Sequence, residues 1–471
     1  MKYWWIIIGM AGLTGCARFE ERPLVPAQTA SQLEARSLAA AGLRKFLEQT
    51  LGQPVKTWPL SEWNLTTLSV AAFYYSPNLA VARAQWEVTV ADTRTAAARP
   101  NPSVTATPGY DTTTSIPSPW LPAIAFDWPV ETAGKRGKRI AEARELANSA
   151  RWDIVTAAWQ VRSNLREALV DGQVAERRRV LLDQEYQLQQ QLVQRMEQRL
   201  TAGDVARPEL VAAQIALQKT SQDRLDAETH ASDARVRLAG IIGLSASALD
   251  GVKIDYFLAT KLPTGLTEPE ARRVALTSRS DILGALADYA AAQDDLKLEI
   301  AKQYPDVHVG PGYQYNQGDN QWFLGATVEL PILDQNQGPI ASAEAKRRLT
   351  AAKFMALQSQ VISEIDRAVS GYRLAQTQAS SGEDLLGTEQ QQASATQAQV
   401  AAGAADQFDA LGVQLELASA NLAQLDNDTT VQRARGALED ALQYPLDSLT
   451  AETFKQLAAA TAATAAAESH P

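Results

Sequence analysis

Apolar residues alternate with small or polar residues in two parts of the chain, which is the pattern of β-strands with two different faces. The alternation is clearest within residues 124–130 and 307–330. It predicts four strands, at about residues 102–114, 123–131, 306–316 and 321–333. Polar or proline-rich loops separate the strands of each pair, so we expect two β-hairpins. Each would have one apolar, aromatic face and one small, polar face.

The residues between the predicted strands follow a helical pattern instead. Residues 138–202 contain no proline and one glycine, so a continuous helix would be roughly 100 Å long at about 1.5 Å per residue. Alanine-rich helices are also predicted at about residues 66–99 and 267–303, each ended by proline. The long helix carries a coiled-coil seam with alternating spacings of four and three, formed by Leu182, Tyr186, Gln189, Val193, Met196 and Leu200. A helix of this length does not fit in a compact globule and predicts an elongated, mainly α-helical protein.

The order of these elements occurs twice. Asn101-Pro102-Ser103-Val104 corresponds to Tyr304-Pro305-Asp306-Val307 at an offset of 203 residues, and Thr201-Ala202-Gly203 corresponds to Ala401-Ala402-Gly403 at an offset of 200. Landmarks in one order at nearly one offset indicate an internal duplication. We therefore divide the chain into an N-terminal segment (16–65), two repeats (66–264 and 265–450) and an alanine-rich tail (451–471).

The amino terminus predicts export. Lys2 precedes an apolar stretch that is too short for a permanent transmembrane helix, and Leu13-Thr14-Gly15-Cys16 follows directly. This arrangement resembles a bacterial lipobox, which implies a signal peptide over residues 1–15 and acylation of Cys16. An ordinary signal peptide and a cytosolic chain with an apolar start are the alternatives. Ala17 is not the aspartate associated with inner-membrane retention, so the resemblance implies delivery to the outer membrane.

Composition removes several classes of protein. The formal net charge of −10 argues against nucleic acid as a partner. One cysteine and three scattered histidines exclude a disulfide framework and argue against a metal site within the chain. We find no catalytic constellation and no cofactor motif, so an enzyme is not expected. Beyond residue 27 no apolar run is long enough for a membrane helix, so strands closed into a barrel would have to cross any membrane.

The lipobox, the duplicated order of elements and the turns after the long helices together resemble the outer-membrane efflux ducts (TolC-like). The stretch 330–344, with Asn336-Gln337-Gly338 at its centre, most resembles the heavy-metal (CzcC-like) branch of that family. The resemblance implies a homotrimer in which each chain gives four strands to a 12-stranded membrane β-barrel, continued by a helical barrel across the periplasm. A periplasmic adaptor, an inner-membrane pump and outer-membrane lipid are the implied partners. The implied function is passive export, with heavy-metal cations as one candidate cargo.

Acidic residues at two levels are the main candidate site residues. Asp127 and Glu329 occupy equivalent places in the repeats, on the strand face opposite the apolar one, so both would point into the lumen of a barrel. Water-exposed strand-end residues without effect on passage are the alternative.

The turns after the long helices provide the second level. The resemblance makes Asp406 and Asp409 candidates for a periplasmic gate, although Gly412 replaces the second carboxylate of the family's gate ring. Capping of the next helix by Asp406, with Asp409 in its first turn, is the alternative. Adaptor contact is expected at the helical tips, which carry Gly203, Asp204, Glu209 and Gly403.

Two further features leave alternatives open. The basic residues at 135, 136, 138 and 139 predict either a phospholipid head-group site or a solvated patch, and His308 is expected to be a strand residue without a further role. For the whole chain, the alternative function is a periplasmic coiled-coil lipoprotein that acts as a structural spacer or adaptor.

Overall fold

A computed structural model describes residues 19–52, 54–113, 115, 118–256 and 267–446. The predicted signal peptide, Cys16 and the tail 451–471 lie outside the described residues. Two short helices come first, α1 (Pro26–Glu34) and α2 (Ala41–Leu51). The first repeat consists of α3 (Leu65–Tyr75), α4 (Pro77–Ala97), β1 (Ser103–Thr107), β2 (Ala123–Val130), α5 (Lys135–Ala202) and α6 (Arg207–Ile242). The second consists of α7 (Glu268–Ser278), α8 (Ser280–Ala301), β3 (Val307–Asn316), β4 (Asp319–Val328), α9 (Gln337–Ala401) and α10 (Gln407–Leu442).

The long helices confirm the predicted elongated duplication. Helix α5 has 68 residues and α9 has 65, so each is roughly 100 Å long. Each is followed by a returning helix of 36 residues, α6 or α10. The coiled-coil seam of α5 is buried at Leu182, Gln189 and Val193, as its spacing predicts. Among the described residues, no helix is both long and apolar enough to cross a membrane.

The prediction of one continuous helix before each hairpin is wrong. In the first repeat the chain is extended at Ser76, and Pro77 starts α4, because proline has no N–H to continue the preceding helix. In the second repeat the break is at Arg279, whose backbone is extended with φ −61° and ψ 135°. The Arg279 guanidinium donates to Asp281 and to the carbonyl of Ala441, which ties this break to α10.

The strands form one antiparallel sheet in the order β1-β2-β3-β4, so the β2–β3 pair joins the two repeats. On β2 the exposure alternates, with Phe126 and Trp128 on the outer face and Asp127 on the inner face. Strands β1 and β4 are exposed throughout, and neither has a further strand partner within the described residues. A sheet with two free edges is incomplete as a wall.

Two strands are shorter than predicted. Strand β1 ends at Thr107, before Pro108-Gly109, although an isolated bridge pairs Tyr110 with Trp120 further along the hairpin. Strand β4 ends at Val328, and the predicted end at 333 is wrong. Proline has no N–H to donate to a ladder, and Pro108 and Pro331 follow these two ends closely.

The hydrophobic core lies at the sheet-proximal half of the long helices. Helices α2, α3, α5 and α6 enclose the larger cluster, whose members include Leu43, Trp63, Leu68, Phe73, Leu165, Leu169 and Ile242. A smaller cluster in the second repeat includes Ile282, Val361, Ile365 and Leu442. Beyond these clusters the helices form a thin wall, which retains exposed apolar side chains such as Ile215 and Leu374.

Candidate functional site

The inner face of the sheet carries a histidine–aspartate pair that links the two repeats. The Nδ1 atom of His308 on β3 lies 2.9 Å and 3.1 Å from the two carboxylate oxygens of Asp127 on β2. Asp127 is opposite Ser103 of β1, and His308 is opposite Thr327 of β4. The expectation that His308 has no role beyond its strand missed this partner, because alternation assigns a residue to a face but not to a neighbour.

The two acidic residues that the sequence treats as equivalent differ in the structure. Asp127 lies within β2, whereas Glu329 follows the last residue of β4 and is exposed. The repeat offset aligns the two residues in sequence, but Asp127 pairs within the sheet and Glu329 lies beyond the end of β4. Their shared lumenal role therefore stays a prediction.

Lys135, at the start of α5, is buried against the base of β3. Its Nζ atom lies 2.7 Å from Asp306, whose carboxylate also accepts the backbone N–H of Thr132 at 2.9 Å. Burial raises the pKa of Asp306, but the ammonium of Lys135 and the N–H of Thr132 outweigh it and hold that pKa below its ordinary value. This cation belongs to a structural contact between the repeats.

The other cations of the basic run also make local contacts. Arg139 donates to Glu131 at 2.6 Å and to the carbonyls of Ala96 and Ala98, and Arg136 donates to the carbonyl of Ala97. These groups cap the C-terminal end of α4, where carbonyls have no partner within the helix. Burial contradicts both a lipid head-group site and a solvated patch for Lys135. For the half-buried Arg136 and Arg139 both stay predictions.

The far ends of the long helices turn through glycines. Gly203 has φ 86° and its N–H donates to the carbonyl of Leu200, so it caps the C-terminal end of α5. Gly403 has φ 73° in the matching turn. Asp204 is exposed beside Gly203, and Glu209 lies in the first turn of α6, where a carboxylate complements the helix dipole.

Asp406 connects the two tips of one chain. Its side chain accepts the N–H of Phe408 at 3.3 Å, which caps α10, and it pairs with Arg199 near the end of α5. The Arg199 guanidinium lies 4.5 Å from the centre of the Phe408 ring. The capping alternative is thus confirmed for Asp406. Asp409 is exposed one residue beyond Phe408 and forms no ion pair with a described residue.

A groove of about 540 Å³ separates the two tips. We call it the tip groove, and its lining includes Arg195, Arg199, Asp204, Asp406, Gln407 and Phe408. The sequence pattern did not identify the two arginines, because their partners are more than 200 residues away. Within the described part of the chain, the tip groove included, His, Cys, Asp and Glu side chains form no group of three or more that could hold a metal ion.

Comparisons with known proteins agree with this architecture. The sequence profile of the outer membrane efflux protein family matches residues 69–244 and 271–442, one segment in each repeat. The cobalt-zinc-cadmium resistance protein CzcC of Cupriavidus metallidurans is 23% identical over 217 residues, which are 46% of this chain and 51% of CzcC. The chain thus spans about half the length of this curated relative.

Solved structures share the fold. The outer membrane protein VceC of Vibrio cholerae superposes with a TM-score of 0.67 at 18% identity, over 81% of this chain and 97% of VceC. The outer-membrane channel OprN superposes with a TM-score of 0.65 at 19% identity, over 91% of this chain and 98% of OprN. The predicted fold of one chain, mainly α-helical tandem repeats that each contribute two strands to a sheet, is confirmed by the family match and these folds. The chain belongs to the outer membrane efflux protein family.

Proposed function

We propose that three copies of this chain form a passive duct across the outer membrane of a Gram-negative bacterium. The observation that carries the proposal is the sheet, which has an apolar outer face, a polar inner face and two free edges. Four strands are too few to enclose a pore, whereas three copies supply about twelve, an even number within the range of bacterial barrels. The helices of roughly 100 Å continue the duct into the periplasm.

The helical tips are the docking surface for a periplasmic adaptor in this proposal, and an inner-membrane pump supplies the energy. Gly203, Asp204, Glu209 and Gly403 lie at or beside the two turns, and the tip groove between them is lined by charged side chains. A groove of this kind offers both shape and charge to a partner.

Heavy-metal cations are the cargo class that we propose. The support is the relative CzcC, whose name describes cobalt, zinc and cadmium resistance, together with the acidic balance of the chain. Acylation of Cys16 would hold the chain at the membrane. Incorporation of labelled palmitate into wild type but not into Cys16→Ser tests that anchor.

Two substitutions on β4 test the orientation of the sheet. Leu324 belongs to the outer face and is 74% exposed, and an arginine there should impair assembly by roughly 2 to 4 kcal/mol if it meets the bilayer midplane. Thr327 belongs to the inner face, so Thr327→Arg should change conductance in planar bilayers and leave the trimer intact. Trimer yield in outer-membrane fractions is the measurement. Equal tolerance of both changes, without conductance, would instead favour a structural spacer.

A further inference from the structure

The His308–Asp127 pair lies in an open part of the inner face. Gly310 lies beside Asp127, where the β2–β3 ladder is interrupted, and it is paired with Gly325 of β4, so two adjacent positions carry no side chain. A Cβ atom at Gly310 would lie 1.5 Å from the carbonyl oxygen of Phe126, so no other residue fits there. The side chains of His308 and Asp127 are 41% and 45% exposed, so small solutes can reach the pair.

The pair holds the imidazole in a defined orientation. Asp127 as a carboxylate can only accept, so the Nδ1 atom of His308 carries the proton that it donates. The lone pair is then on Nε2, for which no hydrogen bond is found among the described residues. Metal-binding histidines in proteins typically have this arrangement, with one ring nitrogen donating to a carboxylate and the other facing the ion.

We infer that the Nε2 atom of His308 binds a divalent transition-metal cation on the inner face of the sheet, with Asp127 as the positioning carboxylate. An imidazole nitrogen suits Zn²⁺, Cu²⁺ and Ni²⁺, whereas Mg²⁺ and Ca²⁺ prefer oxygen ligands. The inference identifies a residue that the exported cation would contact. It rests on the proposed function in one respect, namely that the inner face of the sheet lines the export path.

The charge nearest to the imidazole is the carboxylate of Asp127, which attracts a cation. At the base of the sheet Lys135 pairs with Asp306 and Arg139 pairs with Glu131, so the charges of those two carboxylates are compensated. Water would fill the other coordination positions, so binding would be weak, and conduction requires a site that an ion can also leave.

His230 provides a natural contrast. It is exposed on α6 in a groove of about 280 Å³ that contains Arg178, Arg237 and Arg433 together with Asp171 and Asp233. Asp171 pairs with both Arg237 and Arg433. Cations beside an imidazole oppose the binding of a metal ion. Of the two histidines that the structure describes, His308 is the one with a carboxylate at hydrogen-bond distance from a ring nitrogen.

Cu²⁺ is the probe for the test, because pulsed electron paramagnetic resonance detects the remote nitrogen of a coordinated imidazole. The protein is the full-length trimer without a histidine tag, in which His230→Asn and His470→Asn leave His308 as the single imidazole of each chain. We expect the imidazole modulation to appear on addition of Cu²⁺ and to be displaced by excess Zn²⁺. Its absence at saturating Cu²⁺ would overturn the inference.

Substitutions at the site provide the second arm. His308→Asn, or His308→Gln if the first fails to form trimers, should abolish the modulation that His308 gives. Asp127→Asn should weaken the apparent affinity about 10- to 100-fold, and Gln314→Ala, elsewhere on the inner face, should leave it unchanged. An unchanged affinity for Cu²⁺ in Asp127→Asn would show that the Asp127 carboxylate does not position the imidazole.

Metal tolerance of cells separates this inference from the proposed function. Copper bound through His308, together with unaltered metal tolerance in cells that lack the chain, would support the site and reject the metal cargo. Tolerance that depends on the chain, without imidazole modulation, would support the cargo and reject the site.

Discussion

Glu142 on α5 is a half-buried carboxylate whose pKa is raised, first by burial and then by Asp295 on the facing helix α8. The ammonium groups of Lys302 and Lys346 oppose the rise without cancelling it. A carboxyl with a raised pKa stabilises the folded state fully below its unfolded pKa, and this contribution is lost as pH rises through the folded pKa. Glu142 therefore destabilises the protein near neutral pH.

Glu142→Gln should consequently raise the thermal midpoint of the protein at pH 7. The gain in the free energy of unfolding should be no more than about 1 kcal/mol, because water screens a partly exposed group. At pH 4, where the wild-type carboxyl is largely protonated, the gain should vanish. Circular dichroism melts from pH 4 to 8 measure the difference between variant and wild type. A gain that is independent of pH would assign the effect to packing and not to charge.

Single residues also show the limit of prediction from the sequence. Alternation along β2 and β3 correctly assigned Asp127 and His308 to one face, but their diagonal contact depends on the pairing of two strands 181 residues apart. The same limit applies to Lys135, whose partner Asp306 is 171 residues away. Local pattern thus identified the chemistry of these side chains and not their partners.

A buried ionic network joins α5 to α10. The side chains of Arg162 and Glu439 are fully buried, with Nη2 and Oε1 2.8 Å apart, and Arg166 and Arg435 lie beside the same carboxylate. A buried pair is worth little compared with apolar packing, but the loss of one partner leaves a buried charge uncompensated. The network therefore fixes the two repeats to each other.

Glu439→Gln keeps the shape and removes the charge, and it should lower the free energy of unfolding by roughly 3 to 5 kcal/mol. Asp426→Asn is the matched control, because the Arg178–Asp426 pair joins the same two helices but is 37% and 58% exposed. The control should cost less than about 1 kcal/mol. Thermal unfolding of both variants checks the contrast. Similar losses would show that burial does not decide the strength of these pairs.

Helix length was predictable, and helix breaks were less so. The absence of proline over 138–202 correctly predicted the continuous helix α5. Pro77 at the start of α4 indicates a helix break, but the continuous apolar pattern of residues 66–99 favoured one helix in the prediction. Arg279 carries no such signal, because arginine is a good helix former. Its extended backbone depends on partners in α8 and α10 that only the tertiary structure supplies.

At the scale of the whole molecule, duplication was the strongest signal, because the offsets of 200 to 203 residues recur in the helix starts of the structure. The number of copies could not be derived from one chain. The chain has a sheet with two free edges and exposed apolar side chains such as Ile215 on α6. These features indicate contacts with other copies but do not give the number of copies. The trimer therefore stays a proposal, because periodicity within one chain does not supply it.

The last prediction concerns the periplasmic end of the proposed trimer. Three copies of exposed Asp409 brought together at a constriction would form an anionic ring that attracts cations, so the closed pore should be cation-selective and sensitive to divalent ions. Asp406 differs, because it caps α10 and pairs with Arg199. A residue with two structural partners should affect stability more than selectivity.

Paired substitutions in planar bilayers separate the two roles. Asp409→Asn keeps the side-chain volume and leaves the Asp406 cap in place, so we expect weaker cation selectivity and weaker divalent block with a nearly unchanged thermal midpoint. Asp406→Asn should retain selectivity, because the ring of Asp409 remains. Asparagine keeps the cap but loses the partly exposed ion pair with Arg199, so the free energy of unfolding should fall by less than about 1 kcal/mol. Reversal potentials in a salt gradient measure cation selectivity, and thermal melts measure the change in stability that each substitution causes. If Asp409→Asn leaves the reversal potential unchanged but lowers the midpoint, Asp409 stabilises the first turn of α10 and the constriction is formed elsewhere.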